Sequence, residues 1–221
     1  WLGTCYIASL NESCFDIEGA DMTSHAQRSI YLFSWHDRIN NGVNTVVGRL
    51  RQITDVTGLV LHQTSFNRGN DTGAYDKINA HFVILPNGTT VTKFDETENR
   101  PCSGGFNSYT VGVEFVGNFP MDSGRWWKGN SSHDMPTWAQ IHSGRCLVNY
   151  LQNAVGITHV FAHRQTVPGN RRSNCPGPHI WYNVGEWAMN RGLSDGGLGY
   201  AIKGGNPIPE LWREQQFDLY A

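Results

Sequence analysis

No apolar run in this 221-residue chain approaches the ~20 residues needed to span a bilayer. Charge is sparse and balanced: 16 % of residues are Asp, Glu, Lys or Arg, and the net charge is -2. That excludes the basic excess that nucleic-acid-binding surfaces and polybasic membrane patches require. Internal repeats, low-complexity blocks and cell-wall-binding repeats are also missing. Cysteine is scarce, with Cys5, Cys14, Cys102, Cys146 and Cys175. Their number leaves the redox compartment open. Cys5 and Cys14 can pair as a local staple, and Cys146 falls in a helical pattern as a small buried hydrophobe. The chain opens at Trp1 without a basic n-region, which decides nothing about a signal peptide, because processing removes one.

What is present suits one elaborated domain. Residues 1–56 form an N-terminal segment, mostly helical over 24–53, with Asn40-Asn41-Gly42 breaking it in two and the whole packing on the core. A core spans 57–193. Short apolar strands are predicted over 58–62, 81–85, 90–94, 110–116 and 157–162, with a hairpin turn at Pro86-Asn87-Gly88-Thr89. A helix is predicted over 137–155, started by Thr137 or Pro136, with Trp138, Ile141, Val148, Leu151 and Val155 on one apolar face. A last helix runs over 180–191, ended by Gly192. Strands mixed with helices give an α/β class: a single domain with a central mixed β-sheet flanked by helices. Residues 194–221 are a Gly/Pro-rich tail that either packs back on the domain or connects onward.

Three residues can close around one metal ion. His62 ends one apolar run, His163 ends another, and Cys175 sits in Asn174-Cys175-Pro176-Gly177-Pro178. Two imidazoles and a thiolate leave a tetrahedral Zn2+ with an open position, the layout of a catalytic site. Glu114 lies in Val111-Gly112-Val113-Glu114-Phe115-Val116. On a strand, it shares a face with Gly112 and Val116, opposite Val111, Val113 and Phe115. A carboxylate in such a run is either exposed on a half-solvated face or employed as a base. His25, His36, His133, His142, His159 and His179 lack spacing to a second ligand set.

The ordered segments Gly58-Leu59-Val60-Leu61-His62-Gln63-Thr64, Asn79-Ala80-His81-Phe82-Val83-Ile84, Asn87-Gly88-Thr89, Val111-Gly112-Val113-Glu114-Phe115-Val116-Gly117, Ala162-His163-Arg164 and Cys175-Pro176-Gly177-Pro178 resemble the zinc-dependent N-acetylmuramoyl-L-alanine amidases of type 2. That family spans phage amidases, bacterial recycling amidases and animal peptidoglycan recognition proteins. The resemblance covers roughly residues 57 to 193 and implies the same α/β fold. It implies zinc ligation by His62, His163 and Cys175, and Glu114 as the group that takes a proton from water and returns it to the leaving amine. His81 matches a histidine that supports the site without ligating metal; packing in its strand is the other reading. Three positions depart from the family pattern. Ala80 stands where phage relatives carry a tyrosine, Ser173 where a lysine is common, and Cys102 where a histidine is usual. Arg171, Arg172 or Ser173 then takes the oxyanion role. Asn107, His81 and Trp126, in a loop with Trp127, are the candidates for substrate contact.

The implied activity is hydrolysis of the amide between N-acetylmuramic acid and L-alanine, with peptidoglycan or a muropeptide as partner and the bacterial cell wall as the place of action. The alternatives are a muropeptide-binding module without catalysis, and a zinc hydrolase of a different amide. Cys175 favours catalysis, since binding-only relatives usually lose that ligand.

Overall fold

In a computed structural model of the chain, residues 35–37, 49–127 and 132–220 are described. Six strands form one mixed sheet: β1 (Trp35–Asp37), β3 (Gly58–Gln63), β4 (Phe82–Ile84), β5 (Thr90–Thr92), β7 (Thr110–Phe115) and β8 (His159–Ala162). Their order is β1-β5-β4-β7-β3-β8, and every neighbouring pair is parallel except β4 with β5. The antiparallel pair is the predicted hairpin. Its turn closes through Gly88 N–H to the Leu85 carbonyl at 2.8 Å, and Gly88 takes φ +84, where a side chain would also meet Ala139 and Ser143. The central strands β3 and β7 are nearly continuous apolar runs, as parallel strands covered on both faces should be.

Side-chain alternation divides the core. Leu59, Leu61, Phe82, Ile84, Val111, Val113 and Phe115 face the helices on one side. There α1 (Trp138–Tyr150), continued by π-type turns over Leu151–Val155, supplies Ile141, Leu147, Val148 and Leu151. Thr137 is its cap: its hydroxyl accepts from Gln140 N–H while the Gln140 side chain accepts from Thr137 N–H, a reciprocal pair that satisfies two end donors. A second helix on this face runs as α3 (Pro178–Ile180), π-type turns over Trp181–Glu186 and α4 (Trp187–Met189), burying Ile180, Trp181, Val184 and Ala188. On the opposite face, Val83, Val91 and Val116 meet Tyr75, and Val60 and Phe161 meet Phe106. This face carries the short helix α2 (His163–Thr166) and two 3-10 turns, Thr72–Tyr75 and Gly104–Phe106.

Several expectations change. The segment expected to be helical contains two strands where it is described, with a 3-10 turn starting at Ile53: β1 pairs with β5, and β2 (Arg49–Leu50) pairs with β6 (Glu98–Asn99). Both β2 residues are exposed, so apolar spacing could not have revealed them. The segment is fixed by backbone pairing and by Arg51, whose guanidinium donates to the carbonyls of Glu96, Asn107 and Thr110. Trp138 is 51 % exposed rather than part of the apolar face. It sits in the first turn of α1, beyond the rim of the sheet core. Cys146 is disulfide-bonded, not a free buried thiol, and its partner lies outside the described residues, as do Cys5 and Cys14. The tail packs back: Ile208 and Trp212 join the helix-side core, and Trp212 is 1 % exposed. No helix among the described residues is long and apolar enough to cross a membrane.

Candidate functional site

The site forms where the parallel strands end. His62 is the fifth residue of β3 and lies in register with Glu114 on β7, so both side chains leave the sheet on the face away from α1. His163 follows directly on β8, the other neighbour of β3. Cys175 arrives on a loop after a 3-10 turn at Asn170–Arg172. One ligand atom from each of His62, His163 and Cys175 lies within 4.8 Å of the others.

The donors fit a zinc ion. The Nδ1 atoms of His62 and His163 face each other at 2.9 Å, a contact met either by one ring donating to the other or by a cation held between two Nδ1 lone pairs. Burial disfavours a second proton on either ring, holding His62 well below the usual histidine range and His163 down to about 3 with the Arg172 charge adding to each, so both imidazoles are neutral, the form that ligates metal. Burial also raises the Cys175 thiol far above its usual range, so a cation is what would stabilise its thiolate. Gln63 N–H donates to Cys175 Sγ at 3.3 Å, an orienting bond of the kind that supports metal ligands.

Glu114 completes the cluster. Its Oε1 is 3.9 Å from His62 Nδ1, its Oε2 is buried without a protein partner, and the side chain keeps 19 % exposure toward the cleft. Burial raises its pKa to about 7, with Arg172 pulling the other way. A cavity of about 180 Å³ opens here, lined by Gln63, Thr64, Ser65, Glu114, Trp127, His163, Arg172, Asn174 and Cys175. Ser65 holds φ +59, a left-handed conformation uncommon outside glycine. Gly112 is required by close approach: a Cβ there would stand 2.5 Å from Cys102 Sγ and 3.5 Å from His62 Nε2.

Other predicted site residues lie elsewhere. His81 is fully buried and cannot touch substrate. Its Nδ1 accepts from Gly112 N–H at 3.0 Å, so the proton sits on Nε2, which donates to the Glu98 carbonyl at 2.8 Å. The ring nitrogens serve the backbones of β7 and β6. Asn107 turns inward, its Oδ1 accepting from Ser103 N–H at 2.6 Å and its carbonyl from Arg51. Trp126 donates its indole N–H to the Asp134 carbonyl and packs on His133, while its neighbour Trp127 lines the cleft. Ser173 Oγ bonds back to the Asn170 carbonyl, whereas Arg172 is exposed at the cleft. Sequence reasoning missed Gln63. A polar residue ending an apolar strand beside a ligand was the available signal.

A family model for N-acetylmuramoyl-L-alanine amidases, Amidase_2, matches residues 52–178. No curated protein sequence matches the chain. Among solved structures, the N-acetylmuramoyl-L-alanine amidase LysC from Clostridium intestinale URNW is 21 % identical with a TM-score of 0.51, covering 72 % of this chain and 96 % of its own. The Ph2119 endolysin from the Thermus scotoductus MAT2119 bacteriophage is 17 % identical with a TM-score of 0.50, covering 72 % and 99 %. Drosophila PGRP-LB is 11 % identical with a TM-score of 0.54, covering 75 % and 99 %. These likenesses concern the fold; the family model spans more than half of the sequence, and the chain belongs to the type 2 N-acetylmuramoyl-L-alanine amidase family.

Proposed function

We propose that the chain hydrolyses the amide joining the lactyl group of N-acetylmuramic acid to L-alanine in peptidoglycan, with zinc held by His62, His163 and Cys175. The observation that carries this reading is Glu114: a carboxylate with one unpartnered oxygen, in register with His62, at the floor of a cleft. When bound, zinc supplies Lewis acidity toward water and toward the scissile carbonyl. The remaining work falls to the chain. Glu114 takes the proton from the attacking water and delivers it to the departing nitrogen, and a pKa of about 7 suits a group that must do both near neutrality. Arg172 presents an exposed guanidinium to the cleft and steadies the negative charge that builds on the carbonyl oxygen. Trp127 offers an aromatic face to the glycan or the stem peptide. Family membership supports the choice of substrate.

Digestion of purified peptidoglycan, with mass analysis of the products, tests the assignment. New N-terminal alanine with intact glycan chains is expected. New reducing ends without new amino groups overturn it in favour of a glycosidase. Tight binding without product makes the chain a recognition module.

A further inference from the structure

Two of the three metal-ligand candidates flank a loop that is braced from beyond the family-matched segment. Arg164, next to His163, is the centre of the brace. Its N–H donates to the Cys175 carbonyl at 3.1 Å, and its guanidinium donates to the carbonyl of Ser173, two residues before Cys175. One residue therefore ties both ends of the loop, its backbone to Cys175 and its side chain to Ser173. The guanidinium lies over the ring of Trp212, 4.5 Å from the centroid. Trp212 in turn donates its indole N–H to Asp122 Oδ2 at 3.3 Å, on the loop that leads to Trp127. The tail runs alongside: Asn206 N–H donates to the Arg164 carbonyl at 2.9 Å, Ile202 N–H to the Gln165 carbonyl at 3.0 Å, and Gly169 N–H to the Gly204 carbonyl at 2.7 Å.

Arg164 is held at a cost. Its Nε is buried without a partner. A residue kept only to fill space would avoid that desolvation. A planar guanidinium against a fixed aromatic face is a rigid spacer, which a flexible ammonium is not.

We propose that Arg164 and Trp212 form a strut that sets the separation of His163 and Cys175, so that the C-terminal segment governs metal affinity without supplying a ligand. The inference rests on the zinc site proposed above. Both are positioning residues; neither touches the reacting atoms.

The test uses the full chain and four variants: Arg164→Gln, Trp212→Leu, Trp212→Phe and, as a control on tail packing, Phe217→Ala. Zinc affinity is read by chelator competition, and ligand geometry by the visible spectrum of the cobalt-substituted protein. Arg164→Gln and Trp212→Leu are expected to weaken zinc binding by about 10–100-fold and to shift the cobalt bands. Trp212→Phe keeps an aromatic face and stays within about threefold of the parent. Phe217→Ala lowers the melting temperature but leaves affinity and spectrum as they were. A folded Arg164→Gln or Trp212→Leu protein with parental affinity and spectrum overturns the strut, as does an equal loss of affinity in Phe217→Ala. Arg164→Gln removes no ring from the core and carries the test if Trp212→Leu does not fold. A parent chain that binds no zinc defeats the metal site itself, an outcome distinct from a strut that fails while zinc is held.

Discussion

Replacing Gln63 with leucine tests whether the Cys175 loop is held by strand β3. The side-chain amide of Gln63 donates to the carbonyls of Asn174 at 2.8 Å and Pro176 at 3.1 Å, and its oxygen accepts from Phe119 N–H at 2.8 Å. Leucine is close in volume, so the cavity term is small, but three backbone groups lose their partner. Asn174 and Phe119 are buried at 3 % and 0 % exposure, so protein rather than water must satisfy them. Each buried group left unpaired costs about 1–3 kcal/mol, which puts the expected loss at ~3 kcal/mol or more. For a chain of this size, about 2–4 °C of melting temperature follows each kcal/mol, giving a fall of roughly 6–12 °C. Thermal melts without metal measure this directly. Zinc titration of the same variant should show affinity reduced about tenfold or more, because Cys175 loses its anchored loop. Gln63→Glu should be worse than leucine, since it turns a carboxylate toward two carbonyl oxygens. A Gln63→Leu protein that melts within 2 °C of the parent, roughly the equivalent of a single kcal/mol, refutes the argument.

Glu114→Gln should retain fold and zinc while turnover drops by about 10²–10⁴, mainly in kcat; activity within about threefold of the parent removes Glu114 from the proton-transfer role. His163→Ala and Cys175→Ala should each lose zinc stoichiometry by metal analysis, and full retention in both would contradict the ligand set. His81 gives a pH prediction. Burial lowers its folded pKa from 6.5 to about 3, so both states are neutral above pH 6.5 and stability is complete there. Below that, the unfolded chain takes up the proton first, and roughly 4–5 kcal/mol is lost as pH falls toward 3. Urea midpoints across that range should show the slope, and His81→Gln, which does not titrate, should reduce it, leaving the part that His62 and His163 contribute.

The strand order could not be read from the sequence, but the face of Glu114 could. Alternation in Val111-Gly112-Val113-Glu114-Phe115 separates it from the helix-packed residues, and the structure keeps that separation. The helix start was legible only as Thr137 or Pro136; the reciprocal bonds with Gln140, three residues on, settle it on Thr137. Legibility failed where a residue's role is set by distant backbone. His81 was offered for substrate contact because it matches a family histidine that supports the site, yet both its nitrogens bond main-chain groups of β7 and β6. Trp126 and Trp127 are equivalent as sequence; only the Asp134 carbonyl, reached across the loop, decides which one turns away from the cleft. Trp212 sits in a Gly/Pro-rich stretch without periodicity, so nothing local announced a core residue.

The in-register pairing of His62 with Glu114 has a consequence for how such a protein can change. Neighbouring parallel strands keep a nearly fixed spacing, set by backbone hydrogen bonds rather than by side-chain identity. The spacing of Glu114 and His62, the proposed base and the first proposed ligand, is therefore set by the sheet rather than by the loops above it. Ser65, Trp127 and Arg172, by contrast, stand on loops that tolerate substitution and insertion. On the proposed function, selection could remodel what enters the cleft while the Glu114–His62 spacing beneath stays constant, so that reaction and specificity would be inherited on separate parts of the chain.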